Sequence, residues 1–371
     1  MVAQRLEVLN GLRFVAASHV VIFHHNGIIE WPNQFLASVF SSGYESVAFF
    51  FILSGFVLSH SYWPEPGTQV RSAFSTQKFL ASRVARIFPA YFLALVISLP
   101  FYVNAFANQR ISVPDFIGGL VLVPILLQAW YPPTALLWNI PAWSLSVELF
   151  LYCTFPLIVR SSSISAWPAS RFVLVGFSLL LLKVGITNAI EYTANPQSEA
   201  WVALVLYFPP FHLPYFLIGI GLSRLIRVHG SSLTRALPSL LVSSILLVAV
   251  LFGTRNSLPA WAVSLPVLTV LFSTMIIGGA SNYVRSGSLT SSSLLFLGDI
   301  SYSMYILHWP LSLCLMSIAR KFGIEISGNQ YFFVYFTILL LVCSATFLIV
   351  ERPARRKLLR ILGYDRKASY A

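Results

Sequence analysis

Apolar runs long enough to cross a bilayer follow one another along almost the whole chain, at about 12–29, 44–62, 84–104, 115–130, 142–159, 171–190, 201–223, 236–253, 259–280, 294–318 and 330–350. A helix rises about 1.5 Å per residue, so roughly 20 such residues span the ~30 Å of hydrocarbon. Lipid offers no hydrogen-bond partner, which leaves the α-helix as the form in which each run satisfies its own backbone. Composition agrees. Of the 371 residues 57% are hydrophobic and 10% charged, against about 25% charged in a soluble domain. The sequence therefore predicts an all-α, polytopic transmembrane bundle, with one membrane domain over 1–352 and a short basic tail over 353–371.

The run at 115–130 is the shortest, carries Pro124 near its middle and leads into a Pro- and Trp-rich stretch from Trp130 to Pro141. If it does not cross, ten spans remain with both termini cytoplasmic. The inner side then collects 19 of the 24 Lys and Arg, among them Arg5, Arg13, Arg71, Arg83, Arg86, Arg235, Arg285 and the basic residues from Arg352 onward. If it crosses, the inner side keeps 10 of 24. Basic residues favour the cytoplasmic loops, so about ten spans is the expected number. The net charge of +12 is accounted for by these loops and by contact with anionic lipid, and no nucleic-acid partner is expected. The first run follows Arg5 and Arg13 as a signal peptide would. It contains His19, His24 and His25, however, and no small-x-small cleavage site follows, so it is expected to be the first spanning helix. Cys153, Cys314 and Cys343 each sit alone in an apolar run and are expected to pack as small hydrophobes without a metal.

An ionisable group at membrane depth is costly and needs a reason. Arg13 and His24 are eleven steps apart, which at 100° per residue returns to within about 20° of the same direction, ~16 Å further along. They share one helix face. That spacing suits a long donor whose phosphates rest on the guanidinium while its reactive end reaches the imidazole. Arg83 and Arg86, in RVARIFPAY, stand at i and i+3 at the start of the third run and form a candidate phosphate grip. Glu148, in PAWSLSVELFLY, lies about four residues inside its run, where it is able to orient an imidazole or serve as a base. His308 and Tyr302, in GDISYSMYILHWPL, are further candidates; Asp299 in the same run points about 180° away from His308. His19 and His25 are expected to be structural. There is no Walker loop, G-x-S-x-G elbow, H-E-x-x-H or paired Cys spacing.

In this order the segments LNGLRFVAASHVVIFHH, FFFILSGFVLSHSY, RVARIFPAYFLAL, PAWSLSVELFLYCTFP, LGDISYSMYILHWPL and VERP resemble the integral membrane acyltransferase-3 family over nearly the whole chain. The resemblance implies a bundle of about ten helices that transfers acyl groups, most often acetyl, from acyl-CoA to sugar hydroxyls of surface or exported glycans. Acyl-CoA is then a co-substrate, and no permanently bound cofactor is expected. By the same resemblance Arg13, Arg83 and Arg86 serve donor binding and His24 and Glu148 serve catalysis. The family's Asp-Gly-Leu-Arg-Gly opening stands here as Asn10, Gly11, Leu12, Arg13 and Phe14.

The expected function is thus a membrane-embedded O-acyltransferase of the cell membrane, with a carbohydrate or glycolipid acceptor and membrane lipids as partners. A small-molecule glycoside is the alternative acceptor. Ten spans with His and Glu near mid-membrane also describe a transporter or flippase, against which stand the in-line Arg and His and the lack of an evident inverted repeat. The ten-span reading places a reporter fused after Ala371 in the cytoplasm and one near Pro196 outside; an external C-terminal reporter would remove it.

Overall fold

The computed structural model describes residues 7–64, 74–192, 198–233, 237–258, 264–280 and 292–364. Arg5, Arg71, Pro196, Arg285 and residues 365–371, which entered the topology argument, lie outside them, as does Arg235. The described residues are almost entirely helical: α1 (Glu7–His25), α2 (Gln34–Ser41), α3 (Ser46–Tyr62), α4 (Thr76–Ala107), α5 (Val113–Leu122), α6 (Trp143–Arg160), α7 (Ala169–Tyr192), α8 (Ser198–Tyr207), α9 (Leu213–Leu233), α10 (Leu237–Gly253), α11 (Leu265–Gly279), α12 (Ser292–Lys321), α13 (Gly328–Thr346) and α14 (Arg352–Ile361). Among them seven helices, some of these joined end to end, are long and apolar enough to cross a membrane. Helix α1 has the length, at 19 residues, but Arg13 and three histidines make it more polar. Helices α10 and α11 are shorter apolar elements.

The run expected not to cross forms α5, whose ten residues reach only ~15 Å. Beyond it Leu126 and Trp138 adopt positive φ, and short 3₁₀ turns cover 128–130, 132–134 and 140–142. Irregular backbone at this depth is tolerated only where protein satisfies it. Gln128, fully buried, donates to Ala142 O at 2.9 Å, and Thr134 Oγ1 donates to Gln128 O at 2.8 Å. Asn139 Nδ2 donates to Ile306 O at 3.2 Å. That carbonyl lies four residues before Pro310, which has no N–H to offer it.

Two close crossings set the core. Helices α3 and α9 meet backbone to backbone: a Cβ on Gly219 would stand 2.0 Å from Ile52 O, and one on Gly55 would stand 2.2 Å from Phe216 O. Helices α1 and α12 meet at Gly298, where a Cβ would fall 2.6 Å from Asn10 O. Without a hydrophobic drive between helices in lipid, such small residues let dispersion hold the pair. The second crossing fixes the α1 histidines against α12.

Gly219→Val is expected to lower stability by about 1–3 kcal/mol through overpacking, read as a fall in melting temperature in detergent. Gly185→Ala, where nothing lies within 4 Å of the added carbon, is expected to leave it unchanged; equal melting of the two variants would show the crossing to be slack.

Candidate active site

Helices α1, α3, α4, α6 and α12 surround a cavity of about 80 Å³ whose lining includes Arg13, Arg86, Glu148, Tyr302, Ser144 and Tyr305. Arg13 lies within electrostatic reach of Arg86, Tyr152, Glu148 and Arg83. Among the described residues neither Arg13 nor Arg86 makes a hydrogen bond or ion pair. Two guanidiniums therefore face one space without partners of their own, at a depth where a lone charge is costly.

Arg83 is placed differently from its neighbour. Ser75 caps α4, its Oγ accepting from Lys78 N at 3.3 Å, so the helix begins well before the apolar run and Arg83 is carried into the protein. It is 4% exposed. Its Nη2 donates to Tyr62 Oη at 2.9 Å, and its guanidinium carbon lies 5.4, 5.8 and 5.9 Å from the ring centres of Tyr62, Phe79 and Tyr152. Three residues along a helix turn by about 60°, enough to put Arg86 in the cavity and Arg83 in an aromatic cage beside it.

Glu148 accepts a hydrogen bond from Tyr152 Oη, one helical turn on. A second carboxylate, Glu351, approaches from the far end of the chain. It accepts from Ser303 Oγ and lies within electrostatic reach of Arg86 and Arg355. It ends a π-helical turn, Phe347–Glu351, that joins α13 to α14; such turns shift the side-chain register by one residue. Tyr302 Oη donates to Ile87 O at 2.7 Å and ties α12 to α4.

His24 and His308 meet with ring centres 4.9 Å apart. His24 Nδ1 lies 2.8 Å from Val20 O, and His308 Nδ1 lies 2.7 Å from Tyr305 O. A carbonyl oxygen only accepts, so in each ring Nδ1 carries the proton and Nε2 keeps its lone pair. His308 Nε2 is buried and has no hydrogen-bond partner among the described residues. Tyr305 connects the pair to the cavity: its ring stands 6.1 Å from His308, and its hydroxyl lies 2.8 Å from Ser144 Oγ.

The other α1 histidines are engaged at both nitrogens. His19 meets Ser46 Oγ and Val39 O, each at 2.8 Å; His25 meets Val21 O at 2.8 Å and Ser312 Oγ at 3.0 Å. Asp299 is exposed, away from buried His308. The structure thus gathers Arg13, Arg86, Glu148 and Tyr302 around one cavity, sets His24 against His308 beside it, and adds Ser144, Tyr305 and Glu351. Glu351, in VERP, is the residue that helical periodicity does not assign to the site; a lone Glu ending an apolar run is the signal that points to it.

The acyltransferase domain family model matches residues 6–350. The chain belongs to the acyltransferase-3 family. Acyltransferase MdmB of Streptomyces mycarofaciens is 28% identical over 323 residues, 82% of this chain and 78% of its own. Protein 2 in the picA locus of Rhizobium radiobacter is 31% identical over 166 residues, 41% of this chain and 81% of its own. O-acetyltransferase OatA of Staphylococcus aureus is 22% identical over 382 residues, covering 94% of this chain and 57% of that protein. The chain spans just over half the length of this last relative. No solved structure matches. As a member of the acyltransferase-3 family the chain is a multi-pass membrane O-acyltransferase.

The two arginines are expected to separate by thermal unfolding in detergent without ligand. Arg83→Ala leaves Tyr62 Oη unpaired inside the cage and is expected to cost about 2 kcal/mol. Arg86→Ala breaks no direct contact, only the longer-range balance with Glu148 and Glu351, and is expected to cost less than Arg83→Ala. A larger loss for Arg86→Ala would contradict the placement of the two side chains.

Proposed function

We propose that this acyltransferase moves an acyl group, acetyl in the simplest case, from cytoplasmic acyl-CoA to a sugar hydroxyl of a surface or exported polysaccharide. The observation that carries this reading is the pair of unpartnered guanidiniums, Arg13 and Arg86, facing one cavity from two helices. A site of this kind suits a phosphate-bearing donor, which guanidiniums bind through paired, charge-assisted hydrogen bonds. Arg83, close behind them, adds positive potential. That OatA bears the name O-acetyltransferase supports acetyl as the group moved.

The chemistry centres on His24. Its Nε2 lone pair takes the proton of the acceptor hydroxyl as that oxygen bonds to the thioester carbonyl carbon. The carbon–sulfur bond then breaks, the coenzyme A sulfur leaves with the electron pair, and the proton held by His24 passes to it. Val20 O fixes the ring so that Nε2 is the free nitrogen. Glu148 balances part of the charge of Arg13 and Arg86 while Tyr152 holds it in place.

Acetyl transfer from labelled acetyl-CoA is to be measured at matched membrane abundance, with the product split into polymer and low-molecular-weight glycoside fractions. Label in the polymer is expected; label confined to the small glycosides would replace the polysaccharide with the alternative acceptor. Arg86→Ala is expected to weaken acetyl-CoA binding about tenfold or more through loss of charge-assisted contacts. His24→Gln keeps a hydrogen bond but cannot take up a proton, so transfer is expected to fall by about 10²-fold or more with donor binding retained. Substantial transfer by His24→Gln would end the assignment of His24 as the base.

A further inference from the structure

A second cavity, of about 30 Å³, lies against the first and shares Val47 and Phe51 with it as walls. Its lining brings together Glu45 in the turn before α3, Lys183 in α7 and His212 just before α9, with Tyr44 and Tyr215 also in its wall. The turn carrying Glu45 packs on the His24 end of α1, since a Cβ on Gly43 would stand 2.4 Å from Phe23 Cβ. The cavity therefore sits on the side of the donor site where the acceptor must arrive.

Its polar groups converge without satisfying one another. His212, 4% exposed, donates from Nε2 to Leu206 O at 2.9 Å, which leaves Nδ1 as a lone pair. That nitrogen is buried and unpartnered among the described residues, and so is Glu45 Oε2. Lys183, 5% exposed, stands over the Tyr215 ring at 5.5 Å. It lies within electrostatic reach of Glu45, yet among the described residues no ion pair joins them. Trp143 supplies an apolar wall, its ring 5.4 Å from His212 and stacked on Tyr44 at 6.0 Å.

Two acceptors and one cationic donor around a small space define what fits there. A carboxylate or phosphate is repelled by the two lone-pair groups, and an ammonium is repelled by Lys183. A hydroxyl donates to Glu45 or His212 and accepts from Lys183 at once. The volume corresponds to about two water-sized probes, the size of one carbon and one oxygen. We propose that this cavity receives the hydroxymethyl arm of the acceptor sugar, with its carbon against Trp143 and its hydroxyl among the three polar groups, and so selects which sugar is presented to His24. The proposal rests on the reading of the acceptor as a sugar.

Saturation-transfer NMR on the full-length protein in detergent tests it without turnover, using methyl glucoside, galactoside and mannoside, each beside its 6-deoxy counterpart. At least one hexoside is expected to bind about tenfold or more tightly than its 6-deoxy partner, the worth of a hydrogen bond to charged groups. Lys183→Met and Glu45→Gln are expected to erase that preference while acetyl-CoA affinity, measured on the same preparations, stays at the wild-type value and reports a folded protein. Equal binding within every pair in the wild type, no binding of any glycoside, or a preference that survives both variants would overturn the proposal. Loss of acetyl-CoA binding in the wild type would instead strike the donor reading and leave the glycoside comparison standing.

Discussion

A charge at membrane depth has to be held by protein, and the arrangement of this molecule turns on how each one is held. Arg83 is fully provided for by Tyr62 and the surrounding rings. Glu148 and Glu351 each take a hydroxyl, from Tyr152 and Ser303. Arg13 and Arg86 are the exception, since their balance comes at longer range from those two carboxylates. Holding two guanidiniums at this depth without direct side-chain partners is costly. On the proposed reading a donor phosphate supplies those contacts, so the cost becomes affinity for an anion.

Irregular backbone has a similar logic. Pro310 breaks the hydrogen-bond ladder of α12 four residues after Ile306, and Asn139 from the broken segment between α5 and α6 restores the lost partner. The repair ties the Pro-rich segment to the part of α12 that carries Tyr305 and His308. Ser144, at the start of α6, meets Tyr305 from the same direction. A segment that looks like a failed span therefore buttresses the wall of the cavity, and Gln128, Thr134 and Asn139 donate to backbone carbonyls inside protein rather than facing lipid.

Helix positions were legible in the sequence because lipid imposes a length and an apolarity on every crossing element. The shared face of Arg13 and His24 was legible because a helix is regular over eleven residues. Regularity alone did not separate Arg83 from Arg86. An i, i+3 pair shares a face only within about 60°, and the aromatic cage that divides them is built from Tyr62 and Tyr152, on other helices. Glu351 lay beyond reach for another reason: its direction depends on a π turn that no periodicity announces. The meeting of Glu45 with Lys183 and His212 depends on packing between elements more than a hundred residues apart, about which local pattern says nothing.

Three histidines on one helix give α1 an internal comparison. His19 through both ring nitrogens and His25 through Nε2 bind α1 to its surroundings, the Val39–Ser46 region on one side and Ser312 of α12 on the other. With Gly298 under Asn10 they fix the rotation of the helix, and hence the line that runs from Arg13 to His24. His24 uses only Nδ1, on its own helix. Its second nitrogen is the one left over when the others have anchored the element. Burial does not single out His24, because His25 is more deeply placed. What sets His24 apart is a held ring with a free lone pair, in line with an unpartnered guanidinium and beside a second imidazole whose Nε2 is also free.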